Sequence, residues 1–431
     1  MKRKILFFPT RFFPAISGAE LYFQRLAEIF SSQYSLDVKI LTSNAIDFRS
    51  LRSANGRIIE KTDKYYKSVN NLEIYRIAIN YDLSLEEKLK KIQNLKEFRL
   101  LNINNDALRK FIKNGPFLEN LDAFFTNDSF KNCEIIHATF YPYFNLILSL
   151  ILAKQLDIPA ICTPFFHFSN PRYLDPEMLI VLKAFDLIIA CTEIEKKKLQ
   201  NLLKINHNKI RVIPMGVDFD EFSYSKKNDL KFNFKKHYFQ KKEIKYKMIL
   251  FCGYKNFEKG AISILKAIPK IINSFKKVYF VFIGPSTLAF NRELSKVRKM
   301  AHIRIINLSP DNLSGYLDKK KISAFRNCDI YLMPSRSDAF GISFLEAWAA
   351  GKPVIGARIG ATPEVIRDGI DGLLVRFNDT NDICKAVITL LKSKKLRNKL
   401  GSVGKDRVLR YYTWERIAKK TNEVYSEYKR N

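Results

Sequence analysis

Short apolar runs alternate with longer helical patterns twice over along this chain, and that double rhythm restricts the fold more than any other feature. Ile5–Phe8, Val38–Leu41, Glu134–His137, Ala160–Cys162, Leu187–Ala190 and Arg211–Ile213 read as strands, with Gly18–Phe30, Asn145–Leu156 and Glu193–Leu203 as helices between them. Near-continuous apolar runs without clean alternation are what buried parallel strands look like. After a basic, aromatic, poorly patterned stretch over 223–247 the rhythm restarts. Met248–Cys252, Tyr279–Ile283, Arg304–Ile306, Asp329–Met333 and Pro353–Gly356 read as strands, and Ala261–Ser274, Leu313–Arg326, Gly341–Ala350 and Asp382–Leu391 as helices. The expectation is an α/β chain of two doubly wound parallel-sheet domains, 1–225 and 226–408. A helix over Arg410–Tyr428, anchored by Trp414, follows in a segment 409–431 that can pack back on the first domain.

The length of 431 residues suits two domains. Six scattered cysteines without a C-x-x-C pair, and five histidines without metal spacing, predict reduced thiols, a cytoplasmic location and no metal. The opening Met1–Phe8 superficially resembles a signal peptide. Pro9, Arg11 and Pro14 break its apolar run, so a buried first strand is the expectation. The longest apolar stretch, Tyr143–Ala153, is far short of the ~20 residues of a membrane span. The net charge of +31 attracts polyanions, whether nucleic acid, anionic lipid or phosphorylated small molecules. Basic residues spread through both domains without a recognition module argue against specific nucleic-acid binding. Residues 84–125 carry lysines and arginines among Leu, Ile and Phe. This segment reads either as a basic amphipathic insert suited to the cytosolic face of a membrane or as solvated helices covering the first sheet.

Ligands of open α/β sheets bind beyond the C-terminal strand ends, so the loops there hold the candidate residues. The strand Asp329–Met333 leads through Asp338 and Phe340 to a helix that begins near Gly341 and Ile342 and carries Glu346. A helix N-terminus binds phosphate, and a carboxylate a turn further in suits a vicinal diol such as ribose. The loop after Met248–Cys252 runs from Gly253 through Tyr254 and Lys255 to Lys259 and Gly260, which places a lysine before a helix, where it balances a diphosphate. The loop after the first strand leads through Ser17 and Gly18 into a helix, a second candidate phosphate contact. Glu364 lies in a further strand-to-helix turn, within reach of donor hydroxyls. His137 and His167 both follow apolar strands of the first domain and are candidates to face the cleft, His137 on the acceptor side, although an isolated histidine is more often structural.

These loops, in this order, resemble the retaining GT-B glycosyltransferases of family 4. The matching residues are Pro14…Gly18-Ala19-Glu20, Ile213-Pro214-Met215-Gly216-Val217-Asp218, Gly253…Lys259-Gly260, Phe340-Gly341-Ile342-Ser343-Phe344-Leu345-Glu346-Ala347, Gly351-Lys352-Pro353-Val354-Ile355 and Pro363-Glu364-Val365-Ile366. The resemblance implies a GT-B architecture, two Rossmann-like domains facing across a cleft, the second holding a UDP- or GDP-linked sugar and the first a glycan or lipid-linked acceptor. It implies Glu346 on the ribose, Lys259 on the diphosphate, the Phe340–Ile342 backbone on phosphate and sugar, and His167 near the transferred sugar. It implies transfer with retention, without metal, in cell-envelope glycan synthesis. Three positions depart from the family pattern: Asp338 where Glu is usual, Tyr254 where Arg is usual, with Lys255 one position away, and Ser17-Gly18 where two glycines are usual. A sugar-nucleotide epimerase or hydrolase on the same scaffold, a basic nucleic-acid- or membrane-binding non-enzyme, and an inactive scaffold are the competing readings.

Overall fold

The computed structural model describes residues 2–121, 125–126, 128–223, 231–300 and 302–428. The chain divides into two compact units, Met1–Pro214 with Trp414–Asn431, and Met215–Thr413. The boundary expected near 225 lies outside the described residues. The crossing points are at 214–215 and 413–414.

The first unit is built on eight strands: β1 (Lys4–Phe8), β2 (Asp37–Ser43), β3 (Ser68–Val69), β4 (Leu72–Ile77), β5 (Cys133–Ala138), β6 (Ala160–Cys162), β7 (Leu187–Ala190) and β8 (Ile210–Val212). They lie in the order β3-β4-β2-β1-β5-β6-β7-β8. All neighbours are parallel except the short β3–β4 ribbon. The order reverses between β1 and β5, the switch point of a doubly wound sheet. Helix Asn145–Leu156 is apolar on all sides because it is enclosed, with Leu146 to Leu152 buried throughout.

The basic insert forms helices Leu85–Gln93, Lys96–Arg99 and Asn105–Asn114. A capping box between Ser84 and Glu87 starts the first of them. Their apolar side is used internally. Leu89, Ile92, Phe98, Leu108, Phe111 and Ile112 are buried in the core of the first unit. The insert therefore packs on helices Asn145–Leu156 and Pro176–Lys183, and its apolar side is used there. Residues 122–124, at the end of that segment, lie outside the described residues.

The last helix, Trp414–Ser426, belongs to this unit and packs on helix Gly18–Gln33. Trp414 is 2% exposed and meets the Tyr22 ring edge-on. From this helix Tyr425 reaches His137 in β5, and the hydroxyl lies 2.5 Å from Nδ1. Nε2 of His137 lies 2.8 Å from the Thr163 hydroxyl. This corrects the expectation that His137 faces an acceptor. It is fully buried, both ring nitrogens have partners, and burial depresses its pKa to about 3.

The second unit holds six parallel strands: β9 (Lys247–Cys252), β10 (Val278–Ile283), β11 (Ile305–Leu308), β12 (Ile330–Met333), β13 (Val354–Ala357) and β14 (Gly372–Val375). Their order is β11-β10-β9-β12-β13-β14. The chain winds outward from β9 to β11, then returns to pair β12 beside β9, so the switch point lies between these two strands. No helix among the described residues is long and apolar enough to cross a membrane.

His137 supplies a pH prediction for the first unit. A histidine that takes up its proton near pH 3 when folded, against 6.5 when unfolded, favours the unfolded chain as acid is added. Its contribution is intact above about pH 6.5 and is lost as pH falls, by about 1.4 kcal/mol per pH unit down to the folded pKa. Urea unfolding between about pH 7 and about pH 5 should show a shallower pH slope for His137→Asn than for the wild type. Equal slopes would contradict a neutral, enclosed imidazole.

Candidate donor site in the second unit

At the β9/β12 switch point the two following loops are joined edge to edge. Arg336 N–H donates to the Glu258 carbonyl at 2.7 Å, and the Arg336 guanidinium grips the Glu258 carboxylate at 2.5 and 2.8 Å. Gly260, at φ +77°, closes the first loop against the second. A Cβ there would stand 2.3 Å from the Pro334 carbonyl oxygen, so only glycine permits this approach. Between these anchors Lys259 Nζ donates to the Ser337 carbonyl at 3.0 Å and to Asp338 Oδ1 at 2.6 Å. Lys259 and Asp338, singled out separately in the sequence, thus form one ion pair, 22% and 13% exposed. The second oxygen of Asp338, Oδ2, is buried and has no hydrogen-bond partner among the described residues.

Asp338 and the buried Phe340 lead to Gly341, which caps helix Ile342–Ala349 in a left-handed conformation. Among the described residues no side chain makes a capping hydrogen bond to this N-terminus. Its amides and the helix dipole therefore present partial positive charge beside Lys259 and suit a phosphate. Glu346 lies one turn in, as the sequence indicates, but it is 1% exposed. Its Oε1 accepts the Tyr316 hydroxyl at 2.6 Å and the Lys321 ammonium at 2.8 Å. Lys321 also lies over the Tyr316 ring, 3.5 Å from the centroid. Neither partner was apparent from the motif. Tyr316 falls in a segment read as the start of helix Leu313–Arg326, whereas the helix begins at Lys319, after the Asp318 N-cap.

Lys255 requires a correction. It is fully buried, with Nζ bonded to Asn307 Oδ1 at 2.6 Å and to the Leu308 carbonyl at 3.0 Å. Burial pulls its pKa down to about 8. Its backbone joins the loop after β10 through the Pro285 carbonyl and Thr287. Lys255 is a strut tying the ends of β9, β10 and β11, and does not stand in for an arginine at position 254. Tyr254 is 47% exposed. Gly253 N–H donates to the Ile283 carbonyl and continues the sheet. Glu364 is half-buried in the one-turn helix Thr362–Val365, beyond β13.

The remaining candidates lie in the first unit. Ser17 and Gly18 start helix Gly18–Gln33, and the Ser17 hydroxyl bonds Glu20. The Glu20 carboxylate is also paired with Arg11 at 2.8 Å, both buried. Glu20 is thus committed to holding the loop after β1 in place, and Arg11 is its partner. His167 follows β6 and is half-buried, edge-on to the Tyr173 ring. Among the described residues no three His, Cys, Asp or Glu side chains converge into a metal-binding group.

Comparison with known proteins agrees with this architecture. Residues 233–407 match the family described as Glycosyl transferases group 1, and residues 85–221 match Glycosyltransferase Family 4. The chain belongs to the GT-B glycosyltransferases of the family 4 type. Among its relatives, the uncharacterized glycosyltransferase MJ1178 of Methanocaldococcus jannaschii is 27% identical, over 80% of this chain and 93% of the relative. A phosphatidyl-myo-inositol mannosyltransferase of Mycobacterium leprae is 31% identical, over 42% of this chain and 46% of its own length. Among solved structures, Anabaena HepE in complex with UDP and glucose superposes with a TM-score of 0.69 at 15% identity, covering 98% of this chain and 99% of that one. Sucrose-phosphate synthase of Thermosynechococcus elongatus gives 0.70 at 16% identity, covering 99% of each chain. The candidate donor residues of the second unit, Lys259 and Glu346 among them, lie within the segment matched by the group 1 family.

The apposition of the two loops is directly testable. Gly260→Ala should cost about 1–3 kcal/mol through strain at positive φ and the clash with Pro334. Thermal unfolding of the second unit reads this loss, and an unchanged transition would mean the loops are not held in contact.

Proposed function

We propose that this glycosyltransferase takes a UDP- or GDP-linked sugar and transfers the sugar, with retention at the anomeric carbon and without metal, to a glycan or lipid-linked acceptor. The observation that carries the reading is the convergence of Lys259 and the uncapped, Gly341-headed helix at the β9/β12 switch point, with Glu346 one turn further along that helix. Lys259 and the helix amides balance the diphosphate, and Glu346 accepts from the ribose hydroxyls. Phe340 and Ile342 contribute backbone contacts, and Asp338 Oδ2 accepts from the donor sugar. In the transfer step the bond from the anomeric carbon to the diphosphate oxygen breaks. The acceptor oxygen adds on the same face, and its proton passes to the departing phosphate oxygen. Lys259 and the fixed amide dipoles stabilise the charge that builds on that oxygen. Gly18, Ser17 and His167 are assigned to the sugar and acceptor by resemblance alone. UDP and glucose in the HepE complex, and the lipid-type substrate in the name of the mycobacterial mannosyltransferase, support the donor and acceptor classes.

Calorimetric titration with UDP and GDP tests the site. Lys259→Ala should weaken binding by tenfold or more, about 1.4 kcal/mol. Glu346→Ala should abolish transfer while the melting transition persists. Unchanged affinity in the first variant, or wild-type turnover in the second, would remove this site from the reaction.

A lipid-linked acceptor suits a protein of charge +31, with exposed Lys90, Lys91 and Lys96 on the insert. Because the insert's apolar side is buried, membrane contact at the cytosolic face would be electrostatic, and therefore salt-sensitive. Co-sedimentation with phosphatidylglycerol vesicles at low salt should be lost at about 0.5 M salt, well beyond effective screening. No binding at low salt would exclude the membrane.

A further inference from the structure

One oxygen of the carboxylate assigned to the ribose, Oε1, already holds a hydroxyl. Glu346 Oε1 accepts the Tyr316 O–H at 2.6 Å and the Lys321 ammonium at 2.8 Å. These two donors differ in charge: Lys321 is the buried counter-ion of Glu346, and Tyr316 is a neutral donor. Lys321 projects from helix Lys319–Asn327 and is 6% exposed. That helix is capped by Asp318 and tied to the segment before β9 through Ser323, whose hydroxyl accepts the Phe234 N–H at 2.8 Å and donates to the Phe232 carbonyl at 2.9 Å. Tyr316 lies half-buried in the connection ahead of the helix, where Ser314 N–H and its hydroxyl donate to Asp318 Oδ2 at 2.8 and 2.7 Å. Removing the lysine would leave a buried carboxylate without its counter-charge, which is costly. Removing the phenol exchanges one neutral O–H donor for whatever replaces it.

A ribose hydroxyl is such a donor. Resting on the reading that Glu346 binds the ribose, we propose that Tyr316 is an affinity- and specificity-determining residue of the donor site. Its hydroxyl occupies the place on Glu346 that a ribose hydroxyl takes, and nucleotide binding exchanges the one for the other while Lys321 stays. Burial and the adjacent carboxylate push the Tyr316 pKa well above its usual value, so the phenol remains a donor. The consequence is quantitative. In the wild type the ribose gains only the difference between its own bond to Glu346 and the bond that Tyr316 gives up. Discrimination between ribose and a sugar lacking hydroxyls is therefore compressed.

The test uses the full chain and four ligands, UDP, GDP and their 2′,3′-dideoxy analogues. Tyr316→Phe keeps the ring over Lys321 and removes only the hydroxyl. The variant should bind the ribonucleotides about 3- to 10-fold more tightly, the equivalent of one net hydrogen bond, and the dideoxy analogues as the wild type does. The ratio between the two classes therefore widens. An equal shift for both classes would mean Tyr316 acts only through packing, and would overturn the exchange. Weaker ribonucleotide binding with a narrowed ratio would also overturn it, by making the hydroxyl a direct and permanent ligand contact. Glu346→Gln separates the underlying reading. If it leaves the wild-type ratio unchanged, Glu346 does not read the ribose, and both the assignment and the exchange fall.

Discussion

The second unit depends on one close approach, that of the loop after β9 to the loop after β12. Gly260 against the Pro334 carbonyl sets the spacing, and Arg336 with Glu258 fixes the register. Lys259 can then reach the Ser337 carbonyl and Asp338 while standing beside the Gly341 helix. Central parallel strands and reversed winding produce this position without special devices, because the loops on either side of a switch point part in opposite directions. What the local sequence adds is charge, namely a lysine in the one loop and an uncapped helix in the other.

The motif charges come with internal partners: Lys259 with Asp338, Glu346 with Lys321 and Tyr316, and Glu20 with Arg11. Enclosed charges require such partners, since an unpaired one is expensive to bury. A ligand entering this site therefore trades contacts with the protein and does not meet bare charges. The aspartate at position 338 fits that arrangement. Its carboxylate sits 2.6 Å from Lys259 and still has one oxygen uncommitted. The excess of positive charge lies elsewhere, on surface lysines such as those of the 85–114 insert.

The strands at the centre of both sheets are legible in the sequence because burial on two faces leaves unbroken apolar runs. Ala160–Cys162 and Leu187–Ala190 fall where the pattern puts them, as do helices Asn145–Leu156 and Ala261–Ser274. What escapes the pattern has physical reasons. Helix Lys394–Tyr411, which the strand and helix pattern does not mark, contains Gly401 and Gly404. Gly404 is there for packing, since a Cβ would strike the Trp348 ring at 2.0 Å. The helix expected over Arg410–Tyr428 is two, Lys394–Tyr411 and Trp414–Ser426, parted at the crossing between units. Lys255 looks like a ligand-facing lysine in the sequence because nothing local reveals Asn307 and Leu308 waiting for it. His137 is similarly enclosed by Tyr425, almost three hundred residues away along the chain. The donor motif was legible from its glycines and its spacing to Glu346. The residues covering Glu346 were not, because their positions depend on where one helix starts.

The position of a bound nucleoside diphosphate tests the donor site most directly. A crystal structure with UDP or GDP should place both phosphates against Lys259 and the Phe340–Ile342 backbone, with the ribose at Glu346. Phosphates bound away from the β9/β12 switch point, with Lys259 still paired only to Asp338, would contradict it.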